Sequence, residues 1–169
     1  MTATDSGVPE KDSLRAGVAR RWARWRLPRE TDPLFVYGTL RFPEVLIELI
    51  GRAPEFESAE LSGRRVAALP ERVYPGLVAA NGVANGFLLS GLTAREWQVL
   101  DAFEDEEYEL RPVSVHAGDR HVYAWTYMWT GPVVAQDWSP QRFAVEELTR
   151  YLGKCTAWRK DLVLVSGTV

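Results

Sequence analysis

Leu34-Phe35-Val36-Tyr37-Gly38-Thr39-Leu40 is the stretch from which the fold is read. A continuous apolar and aromatic run that stops at a glycine predicts a short buried strand over 34–37. Gly38-Thr39 then reads as a turn. Pro43 precedes Val45, Leu46, Ile47, Leu49 and Ile50, whose spacing predicts an amphipathic helix of two to three turns. Gly51 suits its carboxyl-terminal cap, because glycine enters the left-handed conformation without a Cβ clash. The order is strand, glycine turn, helix.

The same reading extends down the chain. Residues 59 to 69 predict a second strand, and Tyr74-Pro75-Gly76-Leu77 a turn before Val78. Gly82 and Asn85-Gly86 punctuate the next stretch, after which Phe87-Leu88-Leu89 reads as a strand ending at Ser90-Gly91. Thr93 with Glu96 three residues on is a capping-box signature. It predicts a helix over 94–103 with Trp97, Leu100 and Phe103 on its apolar face and the acidic string Glu104 to Glu107 at its end. Arg111 to His116 and His121 to Trp129 alternate as paired strands around Gly118-Asp119. Phe143, Val145, Leu148, Tyr151 and Leu152 give 139–152 the spacing of a surface helix, and residues 153–169 receive no assignment. Strands and helices in mixed order point to an α+β fold.

Bulk properties restrict the function. A chain of 169 residues suits one domain with a sizeable core, and its formal net charge of -3 gives no pull toward nucleic acid or an anionic membrane. One cysteine, Cys155, excludes an internal disulfide, and His116 and His121 beside it do not make up the usual zinc patterns. The expectation is catalysis without metal, nucleotide or redox cofactor. No apolar run approaches the roughly 18 to 20 residues of a membrane span, and the amino terminus lacks a signal-peptide core, so a cytoplasmic location is expected. Residues 1–32 form a basic extension in which Arg15, Arg20, Arg21, Arg24, Arg26 and Arg29 surround Trp22 and Trp25. It is read as separate from a single domain over 33–169, either a flexible or fold-back arm or a helix for a membrane surface or a partner. Oligomeric state has no sequence signature here.

Six segments in fixed order narrow the reading further. They are Phe35-Val36-Tyr37-Gly38-Thr39-Leu40, Gly51-Arg52-Ala53-Pro54, Tyr74-Pro75-Gly76-Leu77, Gly86-Phe87-Leu88-Leu89-Ser90-Gly91-Leu92, Leu100-Asp101-Ala102-Phe103-Glu104 with Tyr108, and Tyr127-Met128-Trp129. Over most of residues 34 to 152 the chain thereby resembles the AIG2-like, γ-glutamylcyclotransferase-like family. The resemblance implies a small mixed β-barrel with short surface helices. It also implies that Tyr37, Gly38, Thr39 and Leu40 bind the glutamyl part of a small-molecule γ-glutamyl amide and that Glu104 is catalytic. Asp105 stands where many relatives have glycine. Tyr108 and Tyr127 either line the pocket with their hydroxyls or serve as core. A rival reading keeps the barrel and pocket as a non-catalytic binding or stress-response module.

The residue types suit the chemistry on their own terms. A γ-glutamyl amide carries its nucleophile, the α-amine, in position to close a five-membered ring on the γ-carbonyl. Intramolecular attack of this kind reaches effective molarities on the order of 10⁵ to 10⁸ M. What remains is to move protons and stabilise charge, which one carboxylate and a set of backbone N–H groups can do. Other conspicuous side chains have simpler roles. Trp97, Trp125, Trp129, Trp138 and Trp158 read as packing, Arg111 as a structural ion pair, Asp101 as a brace or cap, and His116 and His121 as flanks of an exposed turn.

Overall fold

The computed structural model describes residues 31–166, so the basic Arg/Trp-rich stretch at 15–29 lies outside the described residues. Strand β1 (Leu34–Val36) is buried along its whole length. It pairs antiparallel with β3 (Gly76–Ser90) through Leu34↔Leu89 and Val36↔Phe87, and parallel with β5 (Arg120–Trp129) through Leu34↔Trp125. With β2 (Glu55–Ala67) and β4 (Tyr108–Ala117) these strands close a mixed barrel in the order β1-β3-β2-β4-β5.

Alternation explains why β1 reads as a continuous apolar run. Successive side chains point to opposite faces of a strand, and here both faces are covered. Phe35 and Tyr37 enter the barrel with Leu61, Leu77, Leu88 and Met128, beside the small Ala59, Ala84, Ala117 and Ala124 that a narrow barrel requires. Leu34 and Val36 face outward into a second core shared with the helices.

Helix α1 (Pro43–Ile50) supplies Val45, Leu46 and Leu49 to that outer core. It ends as expected at Gly51, whose φ of 80° is left-handed and whose N–H reaches the Ile47 carbonyl at 2.9 Å. Helix α2 (Ala94–Phe103) begins with the predicted capping box. Thr93 Oγ1 accepts from the Glu96 N–H at 3.2 Å, and Glu96 Oε2 accepts from the Thr93 N–H at 2.9 Å. Arg52 donates to the same Glu96 carboxylate at 2.6 Å, tying the end of α1 to the start of α2. The β4–β5 hairpin turns through Gly118-Asp119, with Gly118 at φ 64° and Ala117 paired to Arg120. Only the first turn residue has positive φ, as a type II′ turn requires.

Two expectations are revised. The glycines at 82 and 86 do not break the chain into pieces, because β3 runs unbroken from Gly76 to Ser90. An irregularity between Ser62 and Arg64 absorbs the mismatch, with residues 80–82 facing Gly63 alone, at φ 73°. The helical pattern at 139–152 splits into α3 (Pro140–Glu146) and α4 (Leu148–Ser166), so the unassigned tail continues as helix to Ser166. Helix α4 packs on α1. Thr156 Oγ1 donates to Glu48 Oε2 at 2.6 Å, and Arg159 Nε donates to the Leu49 carbonyl at 2.9 Å. The second bond satisfies one of the acceptors that every helix leaves open at its carboxyl end.

Candidate active site

Where β1 ends, the backbone turns from Tyr37 through Gly38 into a single 3₁₀ turn over Thr39–Arg41. Among the described residues no side chain caps that turn, and the first N–H groups of such a turn have no acceptor within it. Gly38 is there because of proximity. A Cβ at this position would lie 2.9 Å from Pro75 Cγ, so only glycine lets the turn approach the segment 71–75 this closely.

The turn, the segment 71–75, the end of α2 and one face of α4 enclose a cavity of about 1230 Å³. Every residue singled out from the sequence as a site residue lines it: Tyr37, Gly38, Thr39, Leu40, Glu104, Tyr108 and Tyr127. For Tyr108 and Tyr127 the choice between pocket and core has no single answer, because both line the cavity and both are buried. Their hydroxyls serve the protein itself. Tyr108 donates to the Pro75 carbonyl at 2.5 Å, and Tyr127 donates to Asp101 Oδ1 at 3.1 Å, which makes the buried Asp101 a brace. Tyr37 donates to the Tyr127 carbonyl at 2.6 Å, fixing the residue that leads into the turn.

Glu104 is the residue at which α2 ends, with extended backbone (φ -73°, ψ 141°) and a half-buried side chain. Its carboxylate reaches the phenols around it electrostatically. Burial first, and then the Glu104 charge, push the Tyr37 hydroxyl well above its ordinary value. At Tyr108 and Tyr151 burial again dominates, with Glu104 among the neighbours that add to the rise. These phenols are therefore neutral hydrogen-bond donors around the carboxylate at any physiological pH. A raised phenol holds its proton longer in the folded than in the unfolded chain. The stability linked to it is complete below the ordinary tyrosine value of 10.0 and is lost as pH rises past that point. We expect melting temperature to hold up to about pH 10 and then fall, with Tyr37, Tyr108 and Tyr151 ionising only as the protein unfolds. Ionisation of these tyrosines in the native protein near pH 10 would contradict this.

Asp105 is bound within the cavity wall. Its carboxylate accepts a hydrogen bond from the Tyr74 hydroxyl, which in turn accepts from Arg72 Nε at 3.0 Å. Arg72 Nη2 continues to Glu107 Oε1 at 3.1 Å, and its guanidinium lies 5.2 Å from the centre of a Trp129 ring. Among the described residues the only non-glycine at positive φ is Glu71, so position 105 does not need the conformational range of glycine. Asp105 instead fastens the 104–107 segment to the 71–75 wall. Changing Asp105 to glycine should cost about 1.5–3 kcal/mol, the range for a hydrogen bond to a charged group. In a double-mutant cycle with Tyr74→Phe the second change should then cost little more, and full additivity in denaturant melts would remove the coupling.

Sequence reasoning missed the contribution of α4. Tyr151, Lys154 and Trp158 line the cavity, and the Tyr151 hydroxyl shares a 3.1 Å hydrogen bond with Thr39 Oγ1 in the turn. Trp158 and Tyr151 pack edge-on against Phe103, with ring centres 5.1 and 6.3 Å away. The signal was present, since Tyr151, Cys155 and Trp158 follow the i, i+4, i+7 spacing of a buried helix face. Of the remaining side chains, Trp97, Trp125, Trp129 and Trp158 are buried and Trp138 is partly so. Arg111 pairs with Glu109 at 2.6 Å. The Cys155 thiol, buried and pushed up to about 12 by desolvation, is no nucleophile.

Comparison with known proteins places this geometry. Residues 34–147 match the family described as gamma-glutamyl cyclotransferase, AIG2-like. AIG2-like protein C of Arabidopsis thaliana is 42% identical over 99 residues, 57% of this chain and 58% of that protein. The match likewise spans 60% of AIG2-like protein A from the same plant, so this chain accounts for about three fifths of the length of these relatives. A solution structure of another Arabidopsis thaliana protein superposes with a TM-score of 0.57 at 30% identity, covering 82% of this chain and 93% of that one. A structure named gamma-glutamyl cyclotransferase shares the fold at a TM-score of 0.53 and 16% identity, over 75% of this chain and 86% of its own. No helix among the described residues is long and apolar enough to cross a membrane.

Proposed function

The chain belongs to the AIG2-like gamma-glutamyl cyclotransferase family, and from that premise we propose that its cavity converts a γ-glutamyl amide into 5-oxoproline and a free amine. The observation that carries this reading is the meeting of two features in one cavity. The turn at 37–40 and the Glu104 carboxylate both line it, and the carboxylate charge is felt at Tyr37, the residue that leads into the turn.

The reaction needs few parts. The substrate α-nitrogen must lose two protons, one before it attacks the γ-carbonyl carbon and one from the tetrahedral intermediate. The departing nitrogen gains both as its bond to that carbon breaks. Both nitrogens sit on the same carbon at that stage, so a single carboxylate can take a proton from one and return it to the other. We assign that role to Glu104. Backbone N–H groups at Thr39 and Leu40 are suited to hold the oxyanion or the α-carboxylate, and Tyr37, Tyr108 and Tyr127 keep the wall rigid around them. Metal is not required for any step in this scheme.

The family premise supports a γ-glutamyl acyl group and gives no preference among amines. The test is incubation of the purified protein with γ-glutamyl-amino acids, γ-glutamyl-ε-lysine and glutathione, with 5-oxoproline followed by mass spectrometry. Release of 5-oxoproline from at least one of them is expected. If none turns over while one still binds, the reading as a non-catalytic binding module takes its place.

A further inference from the structure

Helix α4 brings a cation to the cavity, and nothing in the scheme above uses it. Lys154 lines the cavity, lies three residues from Tyr151 on the same helix, and has no ion-pair partner among the described residues. Residues at i and i+3 stand side by side on a helix, about 5–6 Å apart at Cβ. Tyr151 is hydrogen-bonded to Thr39, so Lys154 stands next to the side chain that touches the 37–40 turn.

The charge of the rest of the wall gives this cation its importance. Glu71, Glu104, Asp105, Glu106 and Glu107 also line the cavity. Among the described residues the other lining cation, Arg72, is engaged by Glu107 and Tyr74. A γ-glutamyl amide must bring an α-carboxylate into this acidic surround, where like charge opposes it. Uncharged N–H groups at the turn attract the carboxylate without cancelling its charge. We infer that Lys154 pairs with the α-carboxylate of the γ-glutamyl group and orients it against the 37–40 turn. Lys154 lies beyond the family match at 34–147, so this would be a contribution of the chain's own carboxyl-terminal helix.

This inference rests on the cyclotransferase reading, and the experiment separates the two. 5-Oxoproline retains the α-carboxylate, so its binding by calorimetry tests Lys154 without turnover. Lys154→Gln is expected to weaken that binding about tenfold, equivalent to about 1.4 kcal/mol, and Lys154→Arg to recover most of it. Where an amide turns over, the same factor should appear in KM and not in kcat, because the pair forms equally in ground and transition states. A substrate whose α-carboxylate is capped as a primary amide should lose the factor in the wild-type protein and lose no more in Lys154→Gln. Equal binding of 5-oxoproline by wild type and Lys154→Gln overturns the inference, as does failure of the wild-type protein to bind it. So does a loss in Lys154→Gln that is the same for capped and uncapped substrates. Turnover that persists alongside any of these leaves the cyclotransferase reading standing.

Discussion

Replacing Glu104 with Gln is expected to lower 5-oxoproline release by about 10³-fold and to leave the melting temperature within a degree or two of the wild-type value. The magnitude follows from the role, since a positioned acid or base contributes about 10² to 10⁴-fold. In the proposed scheme Glu104 serves both transfers, and a loss in the middle of that range is expected. Gln keeps the shape and the hydrogen-bonding oxygen but cannot accept a proton from an ammonium group. Stability should hold for structural reasons. Glu104 is half-buried where α2 ends, and the cap that starts this helix is made by Thr93 and Glu96 at its other end. Turnover by initial rates and melting by circular dichroism decide the matter together. Full activity in Glu104→Gln would mean that another group moves the proton. Loss of both activity and cooperative melting would mean that the residue supports the fold. Asp105 is a poor substitute as proton carrier, because its carboxylate is occupied by the Tyr74 hydroxyl.

How much of this was legible in the sequence varies with how local the cause is. The strand, turn and helix at 34–51 and the capping box at Thr93 are set by neighbours within a few residues, and they appear where the sequence put them. The continuity of β3 was not legible. A glycine that interrupts a strand and a glycine that makes room for a neighbouring strand look alike until the neighbour is known. At Gly86 that neighbour is β1, about fifty residues earlier in the chain. Helix α4 shows the same limit for the site. Its buried stripe is periodic, but only the tertiary contact between Tyr151 and Thr39 makes that stripe a wall of the cavity. Asp105 is a different case. The resemblance implied glycine at this position, but the consequence of the departure depended on Tyr74 lying beside Asp105 in the cavity wall and on the backbone at 105 not having positive φ.

The largest effect on stability is expected from a single added methyl group in β3. In Gly86→Ala the new Cβ would stand 2.3 Å from the Val36 carbonyl oxygen and 2.9 Å from two atoms of the Phe35 ring. A flexible side chain can swing away from such a contact, but a strand carbonyl cannot. Strand β1 is held on both sides, by β3 and by β5, and Phe35 is packed inside the barrel. Relief requires β1 to move, and overpacking of this kind costs about 3 kcal/mol. For a chain of this size that lowers the melting temperature by about 6–12 °C. The neighbouring glycine in the same strand supplies the control. A Cβ on Gly82 would meet only the Arg64 carbonyl, at 3.5 Å, an ordinary contact, so Gly82→Ala should cost about 1 kcal/mol or less. Strand β1 also leads directly into Tyr37 and the 38–40 turn, so any Gly86→Ala protein that folds should lose turnover more than its residual stability accounts for. Differential scanning calorimetry on the two variants, with 5-oxoproline release measured well below each melting point, tests both parts. If Gly86→Ala melts with the wild type, β1 can shift without cost, and the view that it rigidly positions the turn has to be abandoned.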